Sequence, residues 1–501
     1  MIKSNEKELS PSKIVLGYSG FCMMLVGIAL LFPLWVIFFH HEEIVYAKNF
    51  IIPSIISIAI GFLLFKPIYK QKNIELDKKY DNFIVVLSWI FAVIICACPY
   101  YLTGNYSITQ SVFEATSGLT TTGITVMDVD HLPKIYLMFR STTLYVGGIG
   151  IILIMTSLFA TTFGMRLYNA EGHPNKLIPN VIKSARMIVC IYTGYMIVGA
   201  ILFTIFGMQP FDAINHAIAA VSSGGFSTKS SSIGYYHSIP IEIIAMVLMI
   251  LGTTNFMLNL MLLKGKFKTF FKHCEVKLTI VAWVILVPIL ACALLGGVCA
   301  TFGESFRISL FHIVSAMSTT GFQTTKTFSN WPTAGMFILA VLMMIGFQNG
   351  STSAGIKEYR IAIILKSIYY DIKSKLVGKR VIVPRKINMY GEEVDLTSER
   401  TFDAHNGAMM YLGVLTIGTL IYTLCGNSVA NSMFEFSSIL SCVGLSSGIS
   451  GALGSNFVNW VAIVGMLIGR LDFYPVIFVT LISCSDIEKG FRKLIKKGDN
   501  D

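Results

Sequence analysis

The run Thr120-Thr121-Thr122-Gly123 places hydroxyls and a terminal glycine inside a strongly apolar chain. It returns three times in altered form: Ser222-Ser223-Gly224-Gly225 before Phe226, Ser318-Thr319-Thr320-Gly321 before Phe322, and Ser441-Cys442-Val443-Gly444 before Leu445. The chemistry open to such runs is not covalent. Small side chains leave an axis open, and glycine reaches backbone conformations closed to other residues. Carbonyl oxygens turned inward then replace a cation's hydration shell. Non-helical backbone survives at membrane depth only where protein buries it or water wets it. Four runs around one shared axis meet that condition together, and short helices aimed at the axis add their dipoles to the field.

The elements that position these runs match as well. Nine residues before the four glycines stand Glu114, His216, His312 and Glu435; one residue earlier stand Phe113, Asn215, Phe311 and Phe434. Six residues before the glycines are Ser117, Ala219, Ser315 and Ser438. A single run of this kind reads as a helix-packing patch or an ordinary loop. Four, spaced at about a hundred residues, each with a matched upstream helix, read as one module repeated.

Of the 501 residues, 54% are hydrophobic and only 13% are charged, against roughly 25% charged in a soluble globular chain. With long charge-free runs this means a polytopic all-α membrane protein. The net charge of +11 is no nucleic-acid footprint, because its Lys and Arg cluster between apolar runs, as in cytoplasmic loops. The ten cysteines form no CxxC pair and no zinc spacing. They read as small apolar residues in lipid-embedded helices, except Cys442, which falls inside the fourth run. The first apolar run is too long for a signal peptide and is read as a retained helix.

In chain order, residues 1–80 form an N-terminal hairpin of two membrane helices (14–39 and 49–65) without a copy of the module. Repeat one covers 81–183, repeat two 184–276, repeat three 277–402 and repeat four 403–501. Each has an apolar span, a re-entrant helix, the run, and a second apolar span. The re-entrant helices lie near 108–118, 210–221, 306–317 and 429–441. They are too short to cross a ~30 Å hydrocarbon core. Basic segments follow, around Lys66 to Lys79, Arg166 to Arg186, Lys264 to Lys272, Lys373 to Lys386, and Lys489 to Lys497. By the positive-inside rule they are cytoplasmic. The expectation is ten spanning and four re-entrant helices, in pseudo-fourfold arrangement around one pore, with both termini inside.

Two features stand apart. Gly346, Asn349, Gly350, Ser351, Ser353 and Gly355 sit mid-membrane in the third repeat's last span (333–366) and should break that helix. The break is either a flexible obstruction below the runs or a packing kink. Arg470 lies inside the last span (456–484) with Asp472 two residues on. An intramembrane Arg costs at least ~2.5–3.5 kcal/mol and so faces water or a partner. It either raises a barrier to cations or pairs with Asp472 or a carbonyl. Glu114, Asp212, Glu435, His216 and His312 either concentrate cations at an outer mouth or fix the re-entrant helices by hydrogen bonds.

These residues resemble the Trk/Ktr/HKT superfamily of potassium transporters, nearest to its TrkH-like pore subunits, over essentially the whole chain. Phe113-Glu114-Ala-Thr-Ser-Gly-Leu-Thr-Thr-Thr-Gly-Ile-Thr125 is similar to the family's first filter, and Ser222-Ser-Gly-Gly-Phe-Ser-Thr228 to its second. Gly148-Ile-Gly-Ile-Ile152, Gly252-Thr-Thr-Asn-Phe256, Gly350-Ser-Thr-Ser-Ala-Gly-Ile-Lys357 and Gly469-Arg470-Leu471-Asp472 resemble the helices that follow the four filters. The N-terminal hairpin points to the TrkH-like branch.

The resemblance implies potassium as the transported ion, with sodium and rubidium as the competing ions to test. It implies a potassium filter of Thr121, Thr122, Gly123, Ser223, Gly224, Gly225, Thr319, Thr320, Gly321, Cys442, Val443 and Gly444. It implies a gate of Gly346, Asn349, Gly350, Ser351, Ser353, Gly355 and Arg470. It further implies a homodimer in a prokaryotic plasma (inner) membrane, regulated by a TrkA-type nucleotide-binding ring protein on the basic inner loops. No covalently bound cofactor is expected. The fourth run departs from the family's Asn-Val-Gly-Pro-Gly, reading Cys442-Val443-Gly444-Leu445-Ser446, and a Cys offers no amide hydrogen bond. The breaker Gly346-Phe-Gln-Asn-Gly350 lacks the usual paired glycines.

The expected function is potassium uptake through a gated, channel-like pore. The alternative is a poorly selective potassium/sodium conduit of the same fold. A secondary solute transporter is a distant third, since it predicts repeats of alternating orientation and broken helices in matched pairs, whereas one strongly broken span is expected here. No HExxH, GxSxG or P-loop lysine motif supports an enzyme.

Overall fold

The computed structural model describes residues 10–69, 79–151, 153–154, 181–325, 327–328, 330–377 and 383–482. The described residues are almost wholly helical. Their one sheet is a two-stranded antiparallel hairpin, Lys386–Met389 with Glu392–Asp395, lying between the third and fourth units.

The N-terminal helices Pro11–Ala29 and Ala47–Phe65 pair through small residues. A Cβ on Gly20 would meet Leu64 and the Gly61 carbonyl, and one on Gly27 would meet Ile58 and the Ser54 carbonyl. In lipid, where apolar surface alone drives no association, such close backbone approach is what holds helices together. Ser54 and Ser57 add hydroxyl bonds to the carbonyls of Gly27 and Met23, at 2.7 and 2.8 Å. The hairpin docks on the first unit through Glu43, whose carboxylate accepts the N–H groups of Lys134 and Ile135 at 2.8 and 2.7 Å. It thereby satisfies two donors that a helix start leaves unpaired.

Four units follow. Each has a long helix, a short helix, a run and a second, interrupted helix. The long helices are Lys79–Tyr101, Val181–Ile205, Cys274–Leu294 and Ser398–Leu424. The short ones are Ile108–Leu119, Pro210–Val221, Phe302–Met317 and Val429–Leu440. Their starts are legible: Ser107 forms a capping box with Gln110, Pro210 opens the second, and Thr301 and Ser428 cap the third and fourth.

Among the described residues six helices are long and apolar enough to cross a membrane, or up to eight if each bent pair is one span. The expected ten would need two more. One is Lys134–Ile149, whose expected continuation to 160 leaves the described residues after 154. The other is Thr333–Ile345, which is apolar but only 13 residues long. The expected sides of the termini rest on residues 1–9 and 483–501, outside the described residues, as do Arg166 and Lys176.

The expectation of one strongly broken span is corrected. Every unit's second helix is interrupted. In unit one it stops at Gly150, with φ +96°. In unit two Ile239–Thr253 and Phe256–Leu263 meet at 115°. In unit three residues 346–357 separate Thr333–Ile345 from Glu358–Leu376. In unit four Asn456–Leu471 and Phe473–Ile482 meet at 110° about Asp472, whose φ is +64°. Near three of these breaks the second helix passes hard against its short helix. The Cα atoms of Gly147, Gly252 and Gly469 lie so close to the last carbonyls of the short helices, at Leu119, Val221 and Leu440, that no Cβ fits. The missed signal in unit two was local, since Asn255 is a helix cap, accepting from Met257 N at 2.8 Å; at Asp472, with φ +64° and ψ 161°, the backbone takes a conformation otherwise close to glycine-only.

Candidate functional site: a ring of four runs and the loop beneath it

Each run is the C-terminal stop of its short helix, built the same way four times. Thr121, Ser223, Thr319 and Cys442 adopt left-handed backbone, with φ of 58°, 54°, 51° and 51°. The next N–H returns five residues to the helix: Thr122 to Ser117 O (2.8 Å), Gly224 to Ala219 O (3.0 Å), Thr320 to Ser315 O (3.1 Å) and Val443 to Ser438 O (2.8 Å). This is a Schellman stop, usually made with glycine at the left-handed position. Here it is made with β-substituted residues, a conformation costing of order 1–3 kcal/mol each and persisting only where the surroundings over-determine it.

The serines six residues before the glycines complete the stop. Ser117 Oγ accepts Gly123 N at 3.1 Å and donates to Ile124 O at 2.6 Å. Ser315 Oγ donates to Phe322 O at 2.6 Å, and Ser438 Oγ accepts Gly444 N at 3.0 Å. The amides of the runs are thus tied back to their own helices.

The four runs close on one another in chain order. Gly123 lies against the carbonyl of Gly224, Gly225 against that of Thr320, Gly321 against that of Val443, and Gly444 against that of Thr122. All four glycines have positive φ, at 91°, 59°, 82° and 100°. A Cβ on any of them would overlap the neighbouring carbonyl, so glycine is required here for space as well as for conformation. The ring is a set of backbone carbonyls packed edge to edge among small side chains.

On one side of the ring the matched residues nine before the glycines act as clamps, all fully buried. Glu114 accepts from Thr125 Oγ1 and Val126 N. Glu435 accepts from the N–H and hydroxyl groups of Ser447 and Ser450 and the hydroxyl of Ser446. His216 pairs with Ser227 Oγ at 2.8 Å and His312 with Thr325 Oγ1 at 3.4 Å. Asp212 takes the hydroxyl of Tyr236 at 3.1 Å. These contacts are those of residues that fix the helices and their exits.

Sequence reasoning missed Arg140, although an arginine within an apolar stretch was signal enough. Its Nε binds Glu114 Oε1 at 2.8 Å with both side chains buried. Its Nη1 donates to Ser227 O at 3.0 Å, and its guanidinium lies 3.9 Å from the centre of the Phe226 ring. It joins the exit of run one to that of run two.

On the other side lies the segment 346–357, with Gly346, Gly350 and Gly355 at φ of 69°, 73° and 85°. Ser223 Oγ donates to Thr352 O at 3.2 Å, and Ala354 N donates to Thr319 Oγ1 at 3.4 Å. The loop thus touches the left-handed residues of runs two and three. Thr352 Oγ1 reaches Gly252 O at 3.1 Å. Asn255 Nδ2 donates to Asn349 O, and Asn255 N to the Gln348 side chain at 2.9 Å. Ser351 donates to Gln348 O at 2.7 Å and lies 3.0 Å from the Ser353 hydroxyl.

Arg470 donates to Thr352 O at 2.6 Å and to the carbonyls of Gly147 and Gly148. It therefore ties the loop to the interrupted helix of unit one. As pairing partners Arg470 takes carbonyls and not Asp472. Asp472 pairs with Arg360 instead, at 3.0 Å. Below the loop is a cavity of about 320 Å³ bordered by Asn349, Gly350, Lys357, Arg360, Arg470 and Asp472.

Of the sequence-predicted site residues, the twelve of the runs come together in the ring. Gly346 to Gly355 and Arg470 come together beneath it. Cys442 is buried, and its Sγ reaches Met466 O at 3.5 Å. Among the described residues no group of three or more His, Cys, Asp or Glu side chains is arranged to hold a metal ion.

Comparison with known proteins shows the family to which the chain belongs. The family model described as "TrkH: Cation transport protein" matches residues 46–487. An uncharacterized cation transporter of Methanocaldococcus jannaschii is 30% identical over 476 residues, 93% of this chain and 95% of that protein. The Trk system potassium uptake protein TrkH of Escherichia coli (strain K12) is 30% identical over 442 residues, 84% of this chain and 89% of that one. The crystal structure of the potassium transporter TrkH from Vibrio parahaemolyticus superposes with a TM-score of 0.81 at 26% identity, covering 93% of this chain and 98% of that one. On a match that spans most of its length, this multi-pass membrane protein belongs to the TrkH family of cation transport proteins, a family of transporters and not of enzymes.

Proposed function

We propose that this chain carries potassium into the cell through a channel-like path whose selectivity filter is the ring of Thr121–Gly123, Ser223–Gly225, Thr319–Gly321 and Cys442–Gly444. The observation that carries the proposal is the closed order of the ring, each glycine against the neighbouring carbonyl. Carbonyls held this way offer a dehydrating cation oxygen ligands without moving. The relatives named as potassium uptake proteins support potassium as the ion.

The loop 346–357 and Arg470 act as the gate. The loop's bonds to Ser223 and Thr319 put it across the inner end of the filter, and the Arg470 guanidinium places positive charge beside it. The repeats are the four units at 81–183, 184–276, 277–402 and 403–501 around one pseudo-fourfold axis, after a hairpin at 1–80. Both termini lie in the cytoplasm. The working unit is a homodimer, regulated by a nucleotide-binding ring protein.

The interrupted second helices remove one contrast with a secondary solute transporter. The order of the ring still favours the channel-like reading, because four successive units each contribute one edge. A poorly selective potassium/sodium conduit remains the second reading, favoured by Cys442 in the fourth run.

The test is rubidium uptake into proteoliposomes with sodium competing, for wild type and Gly123→Ser. Uptake that resists sodium and is lost or made unselective by the substitution supports a potassium filter. Equal competition by sodium selects the second reading, and a Gly123→Ser variant indistinguishable from wild type rules out the ring as the filter.

A further inference from the structure

Two carboxylates lie buried beneath the loop with no task in the pathway above. Glu275 opens Cys274–Leu294 and Glu358 opens Glu358–Leu376; they are 1% and 0% exposed. Glu275 Oε1 accepts Asn349 N at 3.0 Å. It therefore grips the loop at Asn349. Glu358 accepts the hydroxyl of Thr279, at 2.7 and 2.9 Å to its two oxygens. Thr279 stands one turn after Glu275 on the same helix, and its hydroxyl lies also 3.1 Å from Glu275 O, so it brings the second carboxylate alongside the residue that carries the first.

The other ionisable groups facing Glu275 are few. His273 Nδ1 lies 3.7 Å from Glu275 Oε2, and its ring packs at 4.9 Å on Tyr390 from the strand hairpin. Cys274 and Tyr359 flank the carboxylate. Lys357 lends positive charge, with its ammonium donating to Ser353 O inside the loop.

Two carboxylates in one dry site do not both ionise without cost, so such a pair tends to share a proton. The N–H of Asn349 bonds more strongly to an ionised carboxylate than to a neutral one, because that hydrogen bond is charge-assisted. We propose that Glu275 is a positioning residue for the loop 346–357, and that a second proton taken up by the Glu275–Glu358 pair loosens its grip and opens the path. This rests on the loop being the gate. The sign follows from the donor: the ionised carboxylate holds Asn349, so flux rises as pH falls.

Two readouts on the full chain in lipid test it, from about pH 8 down to about pH 4, which takes in the ordinary carboxylate range. One is hydrogen exchange of the loop amides, corrected for the intrinsic pH dependence. The other is rubidium flux. In wild type, loop protection should fall and flux rise as pH drops. Glu275→Gln, which keeps the size but not the charge, should exchange at least about tenfold faster at high pH, the smallest factor expected for losing a hydrogen bond to a charged acceptor, and should be flat with pH. Glu275→Asp should restore the pH response.

A Glu275→Gln variant with the wild-type pH profile, or a wild-type loop whose corrected exchange ignores pH, overturns the proposal. Should the Gln variant not assemble, Glu358→Gln replaces it. It mimics the protonated partner, so the pH response should persist with its midpoint near that of wild type, and a lost response overturns the proposal equally. Deleting 351–354 separates the two readings. Unchanged flux on deletion sinks the gate, and with it the proton-controlled opening, while the exchange data alone judge the grip of Glu275.

Discussion

The ring and the loop beneath it are both non-helical backbone buried at membrane depth, yet they are wired in opposite ways. The ring's amides bond within their own units, five or six residues back along the same short helix. Several of the loop's polar groups bond to other units: Thr352 O to Arg470 and Ser223, Thr352 Oγ1 to Gly252 O, and Asn349 O to Asn255. Local wiring survives relative movement of the units. Wiring between units breaks when they shift. The same need to satisfy buried backbone thus yields a part suited to holding its shape and a part suited to changing it.

Substitutions can break or sharpen this contrast. The largest effect belongs to the ring, where Gly123→Ser adds a Cβ that meets the Gly224 carbonyl and strains a φ of +91°; loss of selective rubidium uptake at normal expression is the expected result. Next is Arg140→Ala, which leaves Glu114 buried and uncompensated. Removing one partner of a buried ion pair costs about 3–5 kcal/mol, and a thermal melt in detergent should show it, with Glu114→Gln/Arg140→Met restoring part of the loss. An unshifted melt would mean that the clamps are not what makes the ring rigid.

Arg470→Ala acts on the loop instead. It removes the donor to Thr352 O and to the carbonyls of Gly147 and Gly148. Flux should rise severalfold at equal expression while stability changes less than for Arg140→Ala. A fall in flux, or a larger stability loss than at Arg140, would erase the distinction between rigid ring and movable loop. The smallest effect is expected from Cys442→Ser. Its Sγ makes one long contact, 3.5 Å to Met466 O, and a hydroxyl there should leave stability within about 1 kcal/mol. Sodium competition in the rubidium assay is the finer measure, since the hydroxyl matches those of Thr121, Ser223 and Thr319 in the other runs.

Much of the site was legible because its wiring is local. Glu114, Ser117 and Gly123 sit within ten residues of one another, so their spacing alone encodes the helix, its stop and its clamp. Repetition made that spacing visible. Arg140 was legible in kind, as a charge in an apolar stretch, but not in partner, since Ser227 O lies 87 residues away. The breaks at Gly150 and Thr254 were also hidden. A glycine inside an apolar run is compatible with a continuous membrane helix, and the stops are seen only in the fold, at Gly150 with φ +96° and at Asn255, whose side chain caps the next helix.

The sequence by itself determined the membrane class, the four runs with their matched upstream residues, and the place of the break in the third unit. Each depends on composition or on residues near in the chain, where hydropathy and spacing act directly. Only the tertiary structure decided the order in which the runs close, the interruption of all four second helices, and the choice of carbonyls over Asp472 as partners of Arg470. Each of these depends on which backbone groups from distant units are left to be satisfied once the helices pack, and in a low-dielectric interior an unsatisfied group costs more than a bent helix.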